Sequence, residues 1–398
     1  MREFFPLVAL VIAIGLVGGI GILMLFALNR PWWKRRWIRR TSWMLPLSGI
    51  LMVGLWGLSV YNSWDWLATG AAVLAVVVFV AEMALMLSLP FSGLVHLADW
   101  LTGLFVRRHA RKVPEAIDRK RRNFLRLAAA ALPAATVGLG VVGVGRALTG
   151  ARIVQVPLQF RNLPADLEGL KILQLSDIHL GQYVRLRHLE LALDKAAPLH
   201  PDLVLVTGDV ADNLRVLPDA LRMIADLRPP LGSFACVGNH EYYRGMAQVR
   251  QSFDHSPIRL MINESETLAV GASRLHLGGI DDPRYMGRST DEFYRAALAG
   301  VVAEGAEDTF QLMMIHRPDG FPLAAAGQVD LTLSGHTHGA QFGLDGRSLL
   351  EPFMPRRYLW GHYRRETSQL YTTAGMGHWF PFRLGCPPEA PLFTLERS

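Results

Sequence analysis

Long uncharged apolar segments in the first 150 residues restrict the fold of this chain more than any other feature. Residues 4–29 contain no charged side chain. At about 1.5 Å per residue, a helix of that length exceeds the roughly 30 Å hydrocarbon core of a bilayer. Residues 41–64, 66–89 and 127–145 form three similar segments, the second interrupted by Glu82. We therefore predict an all-α membrane anchor of about four transmembrane helices over residues 1–150.

Residues 91–106 lie between two of these segments and contain His96 and Asp99. Because this stretch after Pro90 is too short and too polar for a further span, we expect an interfacial or cytoplasmic extension there.

The two parts of the chain carry opposite charge. Residues 1–150 contain 17 Lys and Arg against 6 Asp and Glu, net +11, whereas residues 151–398 contain 24 against 28, net −4. The basic residues of the first part cluster in two connecting segments, 30–40 and 107–126. Since basic connectors stay in the cytoplasm, four crossings place everything after residue 150 outside. We predict a multi-pass protein of the cytoplasmic membrane with an extracytoplasmic second part.

Arg121 and Arg122 precede the last apolar segment and resemble the start of a twin-arginine export signal. Lys120 departs from that pattern, in which Ser or Thr is commoner. An ordinary positive-inside cluster explains the arginines equally well, and both alternatives place the second part outside.

After residue 151, short β-rich runs alternate with amphipathic helical stretches. The predicted strands cover residues 171–175, 203–207, 233–237, 310–315 and 331–333, and the predicted helices cover 184–197, 217–227 and 290–299. This alternation indicates an α/β domain over residues 151–398 with a largely parallel sheet covered by helices. Ligands of such sheets bind beyond the carboxyl ends of the strands.

Residues that can bind metals follow all five predicted strands. They are Asp177 and His179, then Asp209, then Asn239 and His240, then His316, and finally His336 and His338. Imidazole and carboxylate together favour Zn, Mn, Fe or Co over Ca or Mg. There are enough ligands for two ions, and Asp209 could bridge a pair about 3.5–4 Å apart. With Cys236 and Cys386 alone, the chain cannot form a four-thiolate zinc site or a disulfide framework.

In order and spacing, five blocks of this sequence resemble the calcineurin-like metallophosphoesterase superfamily. They are DIH at 177–179, GDVAD at 208–212, GNHE at 238–241, His316, and GHTH at 335–338. The resemblance extends over about residues 170–395, and the run GHTHGAQ at 335–341 and the tail at 375–389 are similar to the membrane-anchored bacterial branch. It implies a sandwich of β-sheets flanked by helices.

The resemblance also implies the role of each matching residue. One metal would be bound by Asp177, His179, Asp209 and His338, and the other by Asp209, Asn239, His316 and His336. His240 matches the catalytic histidine of the family, while Asp212 is either an orienting carboxylate or an ordinary loop residue. Ala340 stands where a second Gly is common, which leaves the ligands unchanged.

These residues predict a metal-dependent phosphoric ester hydrolase, in particular a phosphodiesterase, with two divalent transition-metal ions. The ions would generate a bridging hydroxide for attack on phosphorus, and His240 could protonate the leaving oxygen. Tethering near a bilayer favours phosphodiesters or pyrophosphates of cell-envelope lipids and sugars as substrates. The alternatives are a nuclease or nucleotide phosphodiesterase and a non-catalytic membrane sensor. The negative charge of the second part disfavours a nucleic-acid partner.

Residues 356–365 combine cations and aromatic rings. Arg356, Arg357, Tyr358 and Trp360 are candidates for binding a phosphate-bearing or lipid-headgroup substrate. A solvated loop or a membrane-contacting segment would have the same composition, so these alternatives stay open.

Overall fold

The computed structural model describes residues 5–62, 64–109, 115–283, 290–303, 309–354 and 358–398. The chain forms two compact units, Met1–Gly145 and Arg146–Ser398, which we describe separately.

The first unit is helical. Its helices are α1 (Phe5–Leu28), α2 (Arg30–Trp33), α3 (Arg36–Tyr61), α4 (Asp65–His109) and α5 (Glu115–Ala147). Four stretches of the described residues are long and apolar enough to cross a membrane, and they overlap the four predicted segments: Leu7–Leu28, Arg36–Tyr61, Asp65–Leu104 and Arg119–Ala147.

Helix α4 continues through Pro90, so residues 91–106 extend the third apolar helix. Glu82, on the same helix, is buried close to Gly18 and Pro46. Within the described part of the chain, neither oxygen of this carboxyl has a hydrogen-bond partner. Its side chain therefore faces the interior of the helical unit.

The second unit is built from strands and helices. The strands are β1 (Arg152–Phe160), β2 (Lys171–Leu175), β3 (Leu203–Thr207), β4 (Ser233–Cys236), β5 (Arg259–Leu260), β6 (Glu264–Val270), β7 (Ser273–Gly279), β8 (Thr309–Met314), β9 (Leu331–Ser334), β10 (Gly343–Leu344), β11 (Arg347–Ser348), β12 (Gly361–Arg365), β13 (Ser368–Thr372) and β14 (Glu389–Arg397). The helices are α6 (Leu186–Ala196), α7 (Leu217–Ala225), α8 (Asn239–Arg244), α9 (Met246–Asp254), α10 (Thr290–Ala299) and α11 (Phe321–Ala326).

The strands form two six-stranded sheets and one small hairpin of β10 and β11. The first sheet has the order β1-β14-β2-β3-β4-β5, and the second has the order β12-β13-β9-β8-β7-β6. Strands β2 to β5 are parallel neighbours, as are β7, β8, β9 and β13. The fold class predicted above, a sandwich of sheets flanked by helices behind an all-α region, is confirmed.

The prediction of a single, largely parallel sheet, made from the alternation of strands and helices, is wrong. The five predicted strands divide between two sheets. β2, β3 and β4 lie in the first sheet, whereas β8 and β9 lie in the second. The chain changes sheet through the antiparallel pair of β6 and β7, which alternation with helices does not reveal. Both sheets still contribute central parallel strands.

Period-two alternation explains the layers. In β2, Leu173 packs on the side that carries Leu189 of α6 and Leu221 of α7, whereas Ile172 packs with Leu312 of the second sheet. The outer face of the second sheet packs against α10 and α11. The order of layers is therefore helix, sheet, sheet, helix, with the largest apolar side chains between them.

A buried glutamine joins the two sheets. Gln174 Nε2 donates to the Thr207 hydroxyl at 2.9 Å and to the Ser334 carbonyl oxygen at 3.0 Å. These three residues lie near the carboxyl ends of β2, β3 and β9, so the bonds fix the strand ends from which the polar residues project.

Candidate metal centre

The seven predicted metal ligands all come from segments that follow central strands of the two sheets. Asp177 and His179 follow β2, Asp209 follows β3, Asn239 begins α8 after β4, His316 follows β8, and His336 and His338 follow β9. All except His336 are buried, and His336 is intermediate. The parallel strands thus deliver these side chains to one edge of the sandwich, as the sequence predicts.

The backbone at this edge is unusual. Five of the seven residues have left-handed φ angles between 49° and 68°: Asp177, His179, Asp209, His336 and His338. Non-glycine residues seldom adopt this conformation, and it is concentrated at functional sites. Sharp turns directly after the strands direct side chains two residues apart, such as Asp177 and His179, toward the same site.

Two glycines, which have no side chain, let the carboxylates of the centre pack directly against the backbone at these turns. A Cβ atom on Gly335 would lie 2.0 Å from Asp177 Oδ2, and one on Gly238 would lie 2.2 Å from Asp209 Oδ1. Both positions therefore require glycine for the carboxylates to approach the backbone.

One group of possible ligands consists of Asp177, His179 and His338, whose donor atoms lie within 4.8 Å of one another. The Nε2 atoms of the two histidines are 3.2 Å apart, and Asp177 Oδ1 lies 3.5 Å from His338 Nε2. A second group, equally close, consists of Asp209, His316 and His336.

Asp209 connects the two groups. Its Oδ2 atom lies 3.3 Å from His316 Nε2 and 3.7 Å from His179 Nε2. One carboxylate oxygen therefore faces a histidine of each group, which is the arrangement expected of a bridging ligand between two ions.

The chemistry of the buried donor atoms fits divalent metals. Among the described residues, Asn239 Oδ1 and His316 Nε2 are buried and have no hydrogen-bond partner. His316 Nδ1 donates to the Thr207 carbonyl oxygen at 2.7 Å, so Nε2 is the ring nitrogen that faces the centre and could bind a metal after losing its proton. Buried polar atoms are normally paired, and a cation would satisfy both of these.

Two buried arginines form hydrogen bonds with histidines of the centre. Arg317 Nη1 lies 2.9 Å from His336 Nε2, and Arg383 Nη2 lies 2.9 Å from His338 Nδ1. Burial, together with nearby positive charge, lowers the pKa of both histidines well below the usual value. Both rings are therefore neutral, which is the form that binds metal.

The carboxylates have the opposite effect on the remaining two imidazoles. Burial opposes protonation of His316, but Asp209 outweighs it and raises the pKa of His316 to about 10. Burial likewise opposes protonation of His179, and Asp212 with Asp209 and Asp177 raises its pKa. Excess negative charge at the centre thus attracts cations, whether protons or metal ions.

His240 lies at the edge of the centre and is held in place at two points. Its backbone N–H donates to Asp209 Oδ1 at 2.9 Å, and its Nδ1 lies 2.6 Å from Asp212 Oδ1. Asp212 Oδ2 is also 3.4 Å from His179 Nδ1, and Arg244 contacts Oδ1 at 3.0 Å. Of the two interpretations offered by the sequence, the contacts fit an Asp212 that orients both histidines.

Sequence reasoning assigned no role to Glu241, although it belongs to the GNHE block. Its buried carboxylate accepts hydrogen bonds from the backbone amides of Asp209, Val210 and Gly238, at 2.9, 2.8 and 2.8 Å. It therefore fixes the turn that presents Asp209. Arg317 and Arg383 were missed as well; the signals were the adjacency of Arg317 to His316 and the position of Arg383 in the 375–389 tail.

The predicted substrate-binding residues have different surroundings. Trp360 is only 4% exposed, and its indole N–H donates to Glu389 Oε1 at 2.8 Å. Tyr358 is partly exposed, and its ring contacts those of Phe321 and Tyr363. The other two candidates, at positions 356 and 357, lie outside the described residues.

Comparisons with known proteins give the family of the chain. The profile of the family described as calcineurin-like phosphoesterase matches residues 170–340. A metallophosphoesterase of Aquifex aeolicus is 31% identical over 62% of this chain and 92% of its own length. A transmembrane protein with metallophosphoesterase domain from Danio rerio is 30% identical over 66% of this chain and 61% of its own. The phosphodiesterase YaeI of Escherichia coli is 28% identical over 56% and 82%.

The match to the zebrafish relative thus spans less than two thirds of that protein, whereas the Aquifex protein is matched over nearly its whole length. Together with four helices that are apolar enough to cross a membrane, these relatives identify a membrane protein. The chain belongs to the calcineurin-like metallophosphoesterases, a family of metal-dependent phosphoester hydrolases that use a dinuclear divalent metal centre.

Proposed function

We propose that this protein is a membrane-tethered phosphodiesterase whose two divalent ions are held by the seven residues described above. The observation that carries the proposal is the position of Asp209 Oδ2 between His316 and His179. Asp177, His179 and His338 would hold one ion, His316, His336 and Asn239 the other, and Asp209 both. When bound, the ions supply Lewis acidity, which activates water and neutralises the phosphoryl oxygens.

His240 supplies the proton in this proposal. Its Nδ1 faces Asp212, so its Nε2 is the atom that can donate to the departing oxygen of the ester. Asp212 fixes the orientation of the ring, and Arg244 contacts the same carboxylate at 3.0 Å. A positioned acid of this kind contributes roughly 10² to 10⁴-fold to the rate.

The substrates that we propose are phosphodiesters or pyrophosphates of cell-envelope lipids and sugars, hydrolysed outside the cytoplasmic membrane. The support is the connection of the hydrolase unit to four apolar helices and the basic segments between them. The name of the Escherichia coli relative, phosphodiesterase, supports a diester over a monoester. Reporter fusions at residue 150 and at the C-terminus test the orientation, and cytoplasmic activity of both would overturn it.

The catalytic proposal is tested on the full chain in detergent, with bis-(p-nitrophenyl) phosphate and added Mn²⁺ or Zn²⁺. We expect Asp209→Asn and His240→Ala to lower turnover about 10²-fold or more. Asp254→Asn and His255→Ala, exposed residues outside the centre, are the matched controls. Metal content measured by mass spectrometry should fall for Asp209→Asn and stay near two ions for His240→Ala. Unchanged rates in both centre variants would refute the proposal.

A further inference from the structure

The exposed large apolar side chains of the second unit are concentrated in one place. Among the described residues after 145, three are scattered over the surface: Leu148, Leu191 and Tyr243. The other seven form what we call the apolar patch: Phe342, Leu344, Leu349, Leu350, Phe353, Met354 and Trp379. Phe353 is 81% exposed and Trp379 is 58% exposed. Exposed apolar side chains concentrated in this way are typical of an interaction site.

The two chain segments of the apolar patch are bonded to each other. The Gly343 amide donates to the Leu384 carbonyl oxygen at 3.0 Å, and Gln341 Nε2 donates to the Phe380 carbonyl oxygen at 3.2 Å. The rings of Phe342 and Phe382 pack with centroids 5.2 Å apart. These contacts hold the two segments of the apolar patch side by side.

The apolar patch adjoins the metal centre. Phe342 is four residues after His338, and the intervening short helix, His338–Gln341, contributes a metal ligand at one end. Beneath it the buried Trp360 packs against Gly339 and Gly343. The segment that contains His338 and the start of the apolar patch therefore pack on the same buried ring, which fixes the distance between them.

A short connection keeps the second unit close to the apolar helix α5. Helix α5 ends at Ala147 and β1 begins at Arg152, so residues 148–151 are the whole connection. Four residues span at most about 14 Å when fully extended. Because α5 contains an apolar stretch able to cross a bilayer, the second unit stays at the membrane surface.

The charge around the patch points to the same occupant. Of the described residues in 342–365, three are arginines (Arg347, Arg364 and Arg365) and two are acidic (Asp345 and Glu351), although residues 151–398 as a whole carry net −4. A local excess of arginine beside exposed Phe, Leu and Trp suits an anionic lipid interface, where aromatic rings insert and cations bind headgroups.

We propose that the apolar patch inserts into the lipid leaflet beside the tether and holds the metal centre at headgroup depth. Phosphoesters carried by lipids would then lie next to the centre, while water-soluble esters would reach it from the solvent. The membrane contact stands on its own observations, whereas the substrate class rests on the proposed function.

The contact is measured on the full chain in lipid nanodiscs that contain anionic lipid. Both native cysteines, Cys236 and Cys386, are buried, so an environment-sensitive fluorophore labels Phe353→Cys selectively. We expect a blue-shifted emission that is quenched several-fold more by spin-labelled lipid than the same label on Asp254→Cys. Equal quenching at both positions would overturn the proposal. Efficient crosslinking of two copies through position 353 would also overturn it, in favour of a dimer interface.

A second measurement separates this proposal from the catalytic one. The double variant Leu349→Ser with Phe353→Ser should hydrolyse bis-(p-nitrophenyl) phosphate within about twofold of the unchanged rate. Its turnover of a fluorescent lipid phosphodiester in vesicles should fall by about tenfold or more. Leu191→Ser, an exposed leucine outside the patch, is the control. Unchanged lipid turnover overturns the role of the patch. If the unchanged chain hydrolyses neither substrate, the proposed function is overturned. The quenching of the label at position 353 then still tests the membrane contact by itself.

Discussion

Replacement of Glu241 offers a quantitative test of how the Asp209 turn is held. The carboxylate is buried and accepts three backbone hydrogen bonds, two of them at Oε2 from Asp209 and Gly238 and one at Oε1 from Val210. Glu241→Ala leaves three buried donors without acceptors, each costing about 1–3 kcal/mol. We expect the free energy of unfolding to fall by roughly 3–6 kcal/mol, because some of the donors will find water.

Glu241→Gln distinguishes the hydrogen bonds from the packing. With its oxygen at the Oε2 position, glutamine keeps the two bonds from Asp209 and Gly238, but its amide then faces the Val210 N–H as a second donor. We expect a loss of about 2 kcal/mol, between the unchanged chain and Glu241→Ala.

Thermal and denaturant unfolding of the full chain in detergent, followed by circular dichroism, measures these losses. Glu190→Ala, an exposed glutamate of α6, is the matched control and should shift stability by less than about 0.5 kcal/mol. Metal content should fall with stability, since the turn that presents Asp209 loosens. If Glu241→Ala unfolds within about 1 kcal/mol of the unchanged chain and binds its full metal content, the reasoning about buried donors is refuted.

Four further changes have expected outcomes. Gly335→Ala places a Cβ 2.0 Å from Asp177 Oδ2, so metal content and turnover should both be lost; normal metal content would contradict the clash. Ala340 has a left-handed φ of 51°, and Ala340→Gly should change the free energy of unfolding by less than about 1 kcal/mol, since relief of strain is offset by unfolded-chain entropy. Burial raises the pKa of Asp330 to about 6, so the folded state holds this proton more tightly than the unfolded state. Stability should therefore fall by up to about 3 kcal/mol as pH rises from 4 to 6, and Asp330→Asn should remove that part of the pH profile measured by denaturant unfolding. Chelation of the metals should lower the melting temperature, by an amount equivalent to about 4 kcal/mol if the ions were present at a thousand times their dissociation constant.

The convergence of the candidate ligands could be predicted from the sequence because each follows an apolar strand that is nearly continuous in hydrophobic residues. Five strands predicted in this way appear with bounds within one residue, from Lys171–Leu175 to Leu331–Ser334. Convergence at the carboxyl edge then follows from parallel pairing. The division into two sheets could not be predicted, because β6 has no buried residue and because β13 and β14 pair with strands that are distant in the sequence.

Partners that act through long-range contacts could not be predicted either. Arg383 contacts His338 across 45 residues, and its place in the 375–389 tail does not reveal that its side chain is buried against that histidine. Trp360 shows the reverse problem, since composition cannot tell whether an aromatic ring faces the substrate or the interior. The structure has its indole bonded to Glu389, and substrate binding by Tyr358 and its neighbours stays a prediction.

The metal centre combines features that would each destabilise an ordinary domain. Left-handed backbone at five non-glycine residues costs of order 1 kcal/mol or more apiece, and the buried carboxylates of Asp177 and Asp209 repel each other. Such an arrangement persists only where surrounding contacts determine it, and Gln174 and Glu241 supply those contacts from the sheet and from α8. Because the backbone is already fixed, a cation that enters needs little reorganisation of the chain. The binding free energy would then be available to offset charge repulsion at the centre, and it would couple metal loading to the stability of the whole second unit.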